Sequence, residues 1–398
     1  MFDFDTPALI ENPYPAYREM RETDPVHRSG VGDWYVTRHD DAALVLSDRR
    51  FGLTPPEDSH MLGYPSRAET VFDAMIAKWM VFRDPPGHTR LRRVVAGWMT
   101  RRRVEAMTPA IQAIADDLLE QMRGADSMEL VSDFAYPLPV MVIARMLGVP
   151  EQDHGLFRDA SRRFSEALNI CSEENSLACE TPALEMMDYF RNLISARRND
   201  PRDDLISAMI AESDSGGGIE KDELPATCVF LIWAGHETTK NLIAGSLVTL
   251  MRNPGQRDAL LQNPDLMRSA IEELLRFESP VQRVCRWTRA PVDIGGTEIA
   301  AGQLVVAMIG AANRDPLRFS DPDRLDIMRN DNRHLAFGHG AHHCVGNFLA
   351  RIEAQIAIGS LLRRIPGLTE GPGKVKWQAT SFMRGPRTVP ANISTPSP

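Results

Sequence analysis

Between Asp222 and Arg252 the chain carries an almost unbroken apolar-rich pattern that reads as one helix. At 1.5 Å per residue, roughly 30 residues make a rod of about 45 Å. Asp222 is placed to cap its start, with Glu223 and Pro225 in the first turn, and Asn253-Pro254-Gly255 stops it. In its middle sits Ala234-Gly235-His236-Glu237-Thr238-Thr239. Glycine, a carboxylate and two threonines lower helix propensity in a segment otherwise rich in Leu, Ile and Val. Local rule-breaking inside a strong element marks a functional segment. Taken alone, the same residues also describe a threonine bonded back to a carbonyl and an exposed glutamate.

A second segment breaks pattern in a different way. Phe337-Gly338-His339-Gly340-Ala341-His342-His343-Cys344-Val345-Gly346 sets one cysteine among glycines, directly before a helical run starting at Asn347. Glycine lets backbone pass close to a bulky planar group. A thiolate is favoured at a helix N-terminus by the dipole and the unpaired N–H groups. Those are the needs of a sulfur that stays deprotonated while bound to a metal. A lone cysteine is more often a small buried hydrophobe. The nearby histidines raise zinc as an alternative, but no C-x-x-C pair accompanies them, and the C-x-x-C-H of covalent haem attachment is absent.

The spacing F-G-x-G-x-H-x-C-x-G resembles the haem-binding loop of the cytochromes P450, the standard instance of cysteine-thiolate haem ligation. The resemblance extends over nearly the whole chain. It implies haem b as cofactor, with Cys344 as the axial iron ligand and Phe337, Gly338 and Gly346 shaping the loop around it. The helix segment is similar to the family's A-G-x-E/D-T signature. By that resemblance Ala234 and Gly235 leave room for O2, while Glu237 and Thr238 deliver the protons that O–O cleavage consumes. His236 and Thr239 are expected to be structural. His88, Arg92, Arg286 and His342 match the family's partners for the haem propionates, which need cations when buried. Glu273 and Arg276 match E-x-x-R, joined by Arg329, with a role in folding. Ala312–Pro316 and Arg384-Gly385-Pro386 match further structural landmarks.

Elsewhere, helical spacing dominates. Val104 to Met122 reads as one helix with Ile111, Ile114, Ala115, Leu118 and Leu119 on a single face. Strands are expected near Trp34–Thr37, Val292–Ile294 and Leu304–Ala307. The expected fold class is mainly α with small β-sheets, one P450 domain over 1–398 with the haem between the long helix and the cysteine loop. The net charge of −9 argues against a nucleic-acid binder. The five scattered cysteines suit a reducing cytoplasm. No apolar run reaches about 18 residues, so no membrane anchor is expected.

The reading is a monomeric, cytoplasmic monooxygenase. It draws electrons from a ferredoxin and ferredoxin reductase to hydroxylate or epoxidise a small molecule, a natural product or xenobiotic. The same motifs leave two rivals, a peroxide-driven peroxygenase and a non-catalytic haem sensor or carrier. The Glu237-Thr238 pair disfavours both, since neither needs protons delivered. Basic runs at Arg90, Arg92, Arg93 and Arg101–Arg103, and at Arg351, Arg363 and Arg364, are expected to dock an acidic ferredoxin. By resemblance, the substrate pocket draws on Met75–Val81, Val229, Phe230, Ile232, Trp233, Val281–Val284 and Ser381–Met383, under a lid near 160–181.

Overall fold

The chain's helices and strands follow from where its apolar residues repeat, and the computed structural model describes them over residues 6–56, 70–169, 176–380 and 382–393. Contacts group the chain into two units. One comprises Met1–Gly52, Pro109–Leu138 and Thr238–Pro398, the other Leu53–Thr108 and Pro139–Glu237.

The first unit holds the main sheet. Among the described residues its strands run in the order Val26–Arg28, Trp34–Val36, Leu304–Ala307, Val284–Thr288, Phe51–Gly52. Only the Trp34–Val36 and Leu304–Ala307 pair is parallel. Val26, Val36, Val45, Leu46, Phe51, Val305, Ala307 and Leu335 belong to one buried cluster, so β-branched residues fill the interior where the pleat suits them. Val292–Ile294 and Thr297–Ile299 form the expected hairpin, turned by Gly295 and Gly296 at φ 60° and 86°. The sheet fixes Arg286 opposite Val305 in the central pairing.

Helices supply the rest. The segment expected as one helix over Val104–Met122 is two, Arg101–Ala106 and Thr108–Glu120. Pro109, lacking an N–H, suits only a helix's first turn and so restarts the run. The predicted face is nonetheless the buried one: Ile111, Ile114, Ala115, Leu118 and Leu119.

Within the second unit, Gly87–Trp98 carries His88, Leu91, Val94 and Val95 on its buried side. His154–Asn169 and Ser176–Asn199 are the long helices of its other half. No helix among the described residues is long and apolar enough to cross a membrane.

Leu224–Arg252 is the longest helix described, 29 residues. Asp222 does not cap it; it pairs with Lys78 at 2.8 Å. Glu223 precedes the first turn instead and takes Arg83 and Arg90 at 2.6 and 2.7 Å. Burial would raise its carboxyl pKa, yet the hydrogen bonds from Arg90, Glu220 N–H and Arg83 hold it down at about 2.

Candidate active site

In the first unit the cysteine loop is built from its ends inward. Leu335 is pinned by the Asn313 side chain, whose Oδ1 accepts its N–H at 2.7 Å. The Asn313 carbonyl accepts from Arg276 at 2.9 Å, and Arg276 forks onto Glu273 at 2.7 and 2.8 Å. Arg329 Nε adds a third cationic contact to Glu273 at 3.1 Å. Glu273 and Arg276 are fully buried. A buried pair is tolerated only when its remaining valences are filled, and here carbonyls of Asn313 and Pro322 and the Asp326 N–H fill them. The E-x-x-R pair with Arg329 therefore exists as expected, and its reach runs through Asn313 to the loop's first residues.

Gly338 and Gly340 adopt φ of 70° and 72°. A Cβ on Gly340 would lie 2.7 Å from the Leu46 carbonyl oxygen and 2.9 Å from Ser47 Cα. The loop thus rests on the backbone of the His39–Ser47 helix, and only glycine fits. Cys344 N–H donates to Phe337 O at 2.9 Å, closing the loop, and Asn347 Nδ2 donates to Cys344 O at 2.8 Å. Gly346 caps the start of the helix Asn347–Arg364, which puts Cys344 three residues ahead of its first residue. Arg351, one turn in, lies over the Phe337 ring at 4.4 Å and forks onto Glu272 at 2.6 and 2.9 Å. Glu272 also faces His334 Nε2 at 3.1 Å. His334 Nδ1 accepts the Ala336 N–H, so Nε2 carries the hydrogen. Burial alone would raise the Glu272 carboxyl, but hydrogen bonds from His334 and Arg351 hold it at about 2. This anchor gives no sign in the sequence, because its partners His334 and Arg351 lie 62 and 79 residues from Glu272.

The described cysteines differ in kind. Cys179 and Cys228 are fully buried, and burial pushes the Cys228 thiol well up. Burial also raises Cys285 to about 11. Cys344 is half-buried, as is Cys285, and is the one of them that sits in a glycine-supported loop just ahead of a helix. His339, His342, His343 and Cys344 do not form a metal-holding cluster among the described residues. His342 ends the short turn Gly340–His342 and is half-buried. Arg286 is buried on its strand and donates to Cys285 O at 2.8 Å.

In the second unit, His88 is buried and Arg92 half-buried one turn later on the same helix. Along Leu224–Arg252 nearly every residue is buried. The exceptions before its last two residues are Trp233, Ala234, Gly235 and Thr238. Ala234 and Thr238, at i and i+4, share one face. A buried helix whose open positions include Ala234 and Gly235 offers a face that a flat group can lie against. Gly235 is needed from the other side as well, because a Cβ there would meet Ile143 Cδ1 at 2.7 Å. Glu237 is 1% exposed. It is not the solvent-facing residue of the bland reading.

These residues fit a haem. The first unit offers a thiol ahead of a helix for a soft metal ligand, a glycine-supported loop and the cations Arg286 and His342 for carboxylates. The second offers an opened helix face and the cations His88 and Arg92. The Met75–Val81 and Val229–Trp233 segments meet within this unit. Trp79 stacks on Trp233 at 5.4 Å and tilts against Phe230 at 5.5 Å. Ser381 and residues 170–175, expected in the pocket wall and lid, lie outside the described residues.

The basic runs are largely neutralised within their own units. Arg90 pairs with Glu223, Arg101 with Glu105 and Arg103 with Asp203; Arg351 pairs with Glu272 and Arg364 with Asp116. Arg102 is exposed and makes no ion pair among the described residues.

Comparison with known proteins places this architecture. The family model for cytochrome P450 matches residues 125–366. The cytochrome P450 monooxygenase PikC of Streptomyces venezuelae is 39% identical over 389 residues, covering 95% of this chain and 90% of that protein. The mycinamicin IV hydroxylase/epoxidase of Micromonospora griseorubida is 38% identical, covering 94% of each. The crystal structure of the myxobacterial CYP267B1 in complex with myristic acid superposes with a TM-score of 0.89 at 37% identity, covering 98% of this chain and 99% of that one. The chain belongs to the cytochrome P450 family. It is a haem-thiolate monooxygenase of the bacterial type that acts with O2 and a redox partner on a small molecule.

Proposed function

We propose that Cys344 is the iron ligand, that Arg286, His342, Arg92 and His88 hold the haem propionates, and that Glu237 and Thr238 handle the protons. Bound haem supplies the activation of O2 and the insertion of one oxygen atom into a C–H bond or an alkene. The chain supplies everything around it. Phe337, Gly338 and Gly346 set the loop, Ala234 and Gly235 keep the helix face open, and the buried flanks of that face exclude water. The whole of 1–398 works as one monomeric catalytic domain in the cytoplasm, reduced by a ferredoxin and its reductase. Its substrate is a small natural product or xenobiotic; the Micromonospora griseorubida relative is named a mycinamicin IV hydroxylase/epoxidase. The Trp79, Phe230 and Trp233 cluster is the wall it meets.

The observation that carries the assignment is where Cys344 sits: among the described cysteines it is the one in a glycine-supported loop leading into a helix, while burial raises Cys228 and Cys285. The carbon-monoxide difference spectrum of the reduced protein tests it. A thiolate-type band in the parent, lost in Cys344→Ala and kept in Cys285→Ala, is expected. A histidine-type band in the parent, or a thiolate band that survives Cys344→Ala, overturns the ligand assignment. A haem spin-state shift on titration with candidate compounds then identifies the substrate class.

A further inference from the structure

We propose that Ser161, Ser165 and His236 form a buried proton track that feeds Glu237; the proposal rests on the reading of Glu237 as the acid of the acid–alcohol pair. Glu237 is 1% exposed, so a carboxyl there has no open face to bulk water and requires a conductor. His236 beside it is fully buried and was expected to be structural. Its Nδ1 lies 2.7 Å from the Ile232 carbonyl. A carbonyl only accepts, so Nδ1 carries a hydrogen, which in the neutral ring leaves a lone pair on Nε2. Ser165 Oγ stands 3.0 Å from that Nε2 and donates to it. The same Nε2 is 3.7 Å from Glu237 Oε2. That is too long for a hydrogen bond in the resting pair. It is short enough to close when the ring becomes cationic and faces a carboxylate.

The track continues one turn back along the helix that carries Ser165. Ser161 lies one turn before Ser165 on the His154–Asn169 helix, so both hydroxyls share a face otherwise packed by Phe157 and Phe164. Ser161 is fully buried, and its Oγ has no hydrogen-bond partner among the described residues. A buried hydroxyl without a protein partner is completed by water. Two serines in line with a buried histidine are unneeded for packing, where alanine serves.

The transfer balances. Ser165 moves its hydroxyl proton onto His236 Nε2 and takes a replacement from the water at Ser161. The imidazolium passes the Nε2 proton to the Glu237 carboxylate, and both Ser165 and His236 return to their starting forms. Glu237 hands the proton on and is a carboxylate again. One proton enters from the water at Ser161 and one leaves through Glu237.

The test uses the holoprotein with its redox partners, NADPH, and myristic acid as a probe, run with and without the probe. Ser161→Ala, Ser165→Ala, Ser165→Thr and Glu237→Gln are compared for oxygen consumption in H2O and D2O and for the share released as peroxide. The carbon-monoxide spectrum serves as a check on folding. Ser165→Ala is expected to slow oxygen consumption about fivefold to tenfold, below the roughly hundredfold or larger effect of a group in the proton step itself. It should enlarge the solvent isotope effect and the peroxide share, and Ser165→Thr should restore both. Ser161→Ala should move them the same way, by less. Imidazole 15N spectra of the reduced, carbon-monoxide-bound protein give a readout independent of turnover. They should show His236 protonated at Nδ1, with the Nε2 signal shifting in Ser165→Ala. If Glu237→Gln alters the peroxide share while Ser165→Ala leaves rate, isotope effect and peroxide at parent values, the track is wrong and the acid assignment stands. If Glu237→Gln itself changes nothing, the acid assignment falls and the track with it. A His236 protonated at Nε2 also overturns the track.

Discussion

Glu353 sits on the helix that follows Cys344, 2% exposed, with its Oε2 lacking a hydrogen-bond partner among the described residues. Burial alone drives its carboxyl well above the ordinary range. A carboxyl raised in the folded state binds a proton that the unfolded chain releases. Its contribution is fully present below the unfolded value and is lost as pH rises through the folded one. Glu353→Gln removes the titration and keeps the shape. Parent and variant should therefore unfold at the same urea midpoint in acid, with the variant gaining steadily as pH climbs past the ordinary carboxylate range. A gap that stays constant with pH would show that Glu353 titrates alike in the folded and unfolded chains, and a parent that gains over the variant as pH rises would show it ionised and paired in the fold. At Thr238, the half-open residue among buried neighbours, the hydroxyl is the feature that matters. Thr238→Ala should keep substrate binding and cut the share of oxygen appearing in product by about tenfold or more, the scale set by losing a positioned proton donor. Peroxide measured against NADPH consumed reads this directly, and unchanged coupling would move the role to another group.

Elements show what a sequence states locally and what it leaves to distant partners. The Leu224–Arg252 helix and its stop were readable within two residues, because periodicity and Asn253-Pro254-Gly255 are local signals. Its start was misread because Glu223 is held by Arg83 and Arg90, 140 and 133 residues away, and no local pattern carries that pairing. The Val104–Met122 pattern gives the right buried face and the wrong continuity, since its apolar spacing runs on past Pro109, where the helix restarts. The cysteine loop was legible as chemistry, but its seating was not. That Gly340 presses on the Leu46 and Ser47 backbone, and that Asn313 ties Leu335 to the Glu273–Arg276 pair, depends on pairings across long stretches of chain. Gly340→Ala combines a positive φ with a backbone clash and should destabilise the fold by about 1–3 kcal/mol. Its sharper signature is local. The reduced, carbon-monoxide-bound protein should lose its thiolate band on mild warming well before far-UV dichroism falls. If band and dichroism fall together, the loop is no weaker than the rest.

At the scale of the molecule, charge decides how a redox partner is met. The chain is acidic at −9, yet arginines cluster at 90–103 and near the helix after Cys344. Sequence alone read both runs as one kind of positive surface. Most of those guanidinium groups are answered by carboxylates in their own unit, and such exposed pairs present little net field. Arg103, for instance, pairs with Asp203 at 2.8 Å and lies over Trp98 at 5.3 Å, so replacing it disturbs structure as well as charge. Arg102, exposed and without an ion pair among the described residues, is the cleaner probe. If an acidic ferredoxin docks on this run, Arg102→Glu should slow the reduction rate several-fold at low ionic strength. The loss should lie in the encounter rate rather than in the limiting rate at saturating partner. Raising salt to about 1 M shrinks the screening length from about 10 Å, its value near 0.1 M, to about 3 Å. Parent and variant should then converge, because steering is the only term the substitution touches. Stopped-flow reduction at several salt concentrations measures this. Equal rates at low salt would move the docking surface off the 101–103 run. A defect that persists at high salt would mean that Arg102 makes a direct contact in the complex.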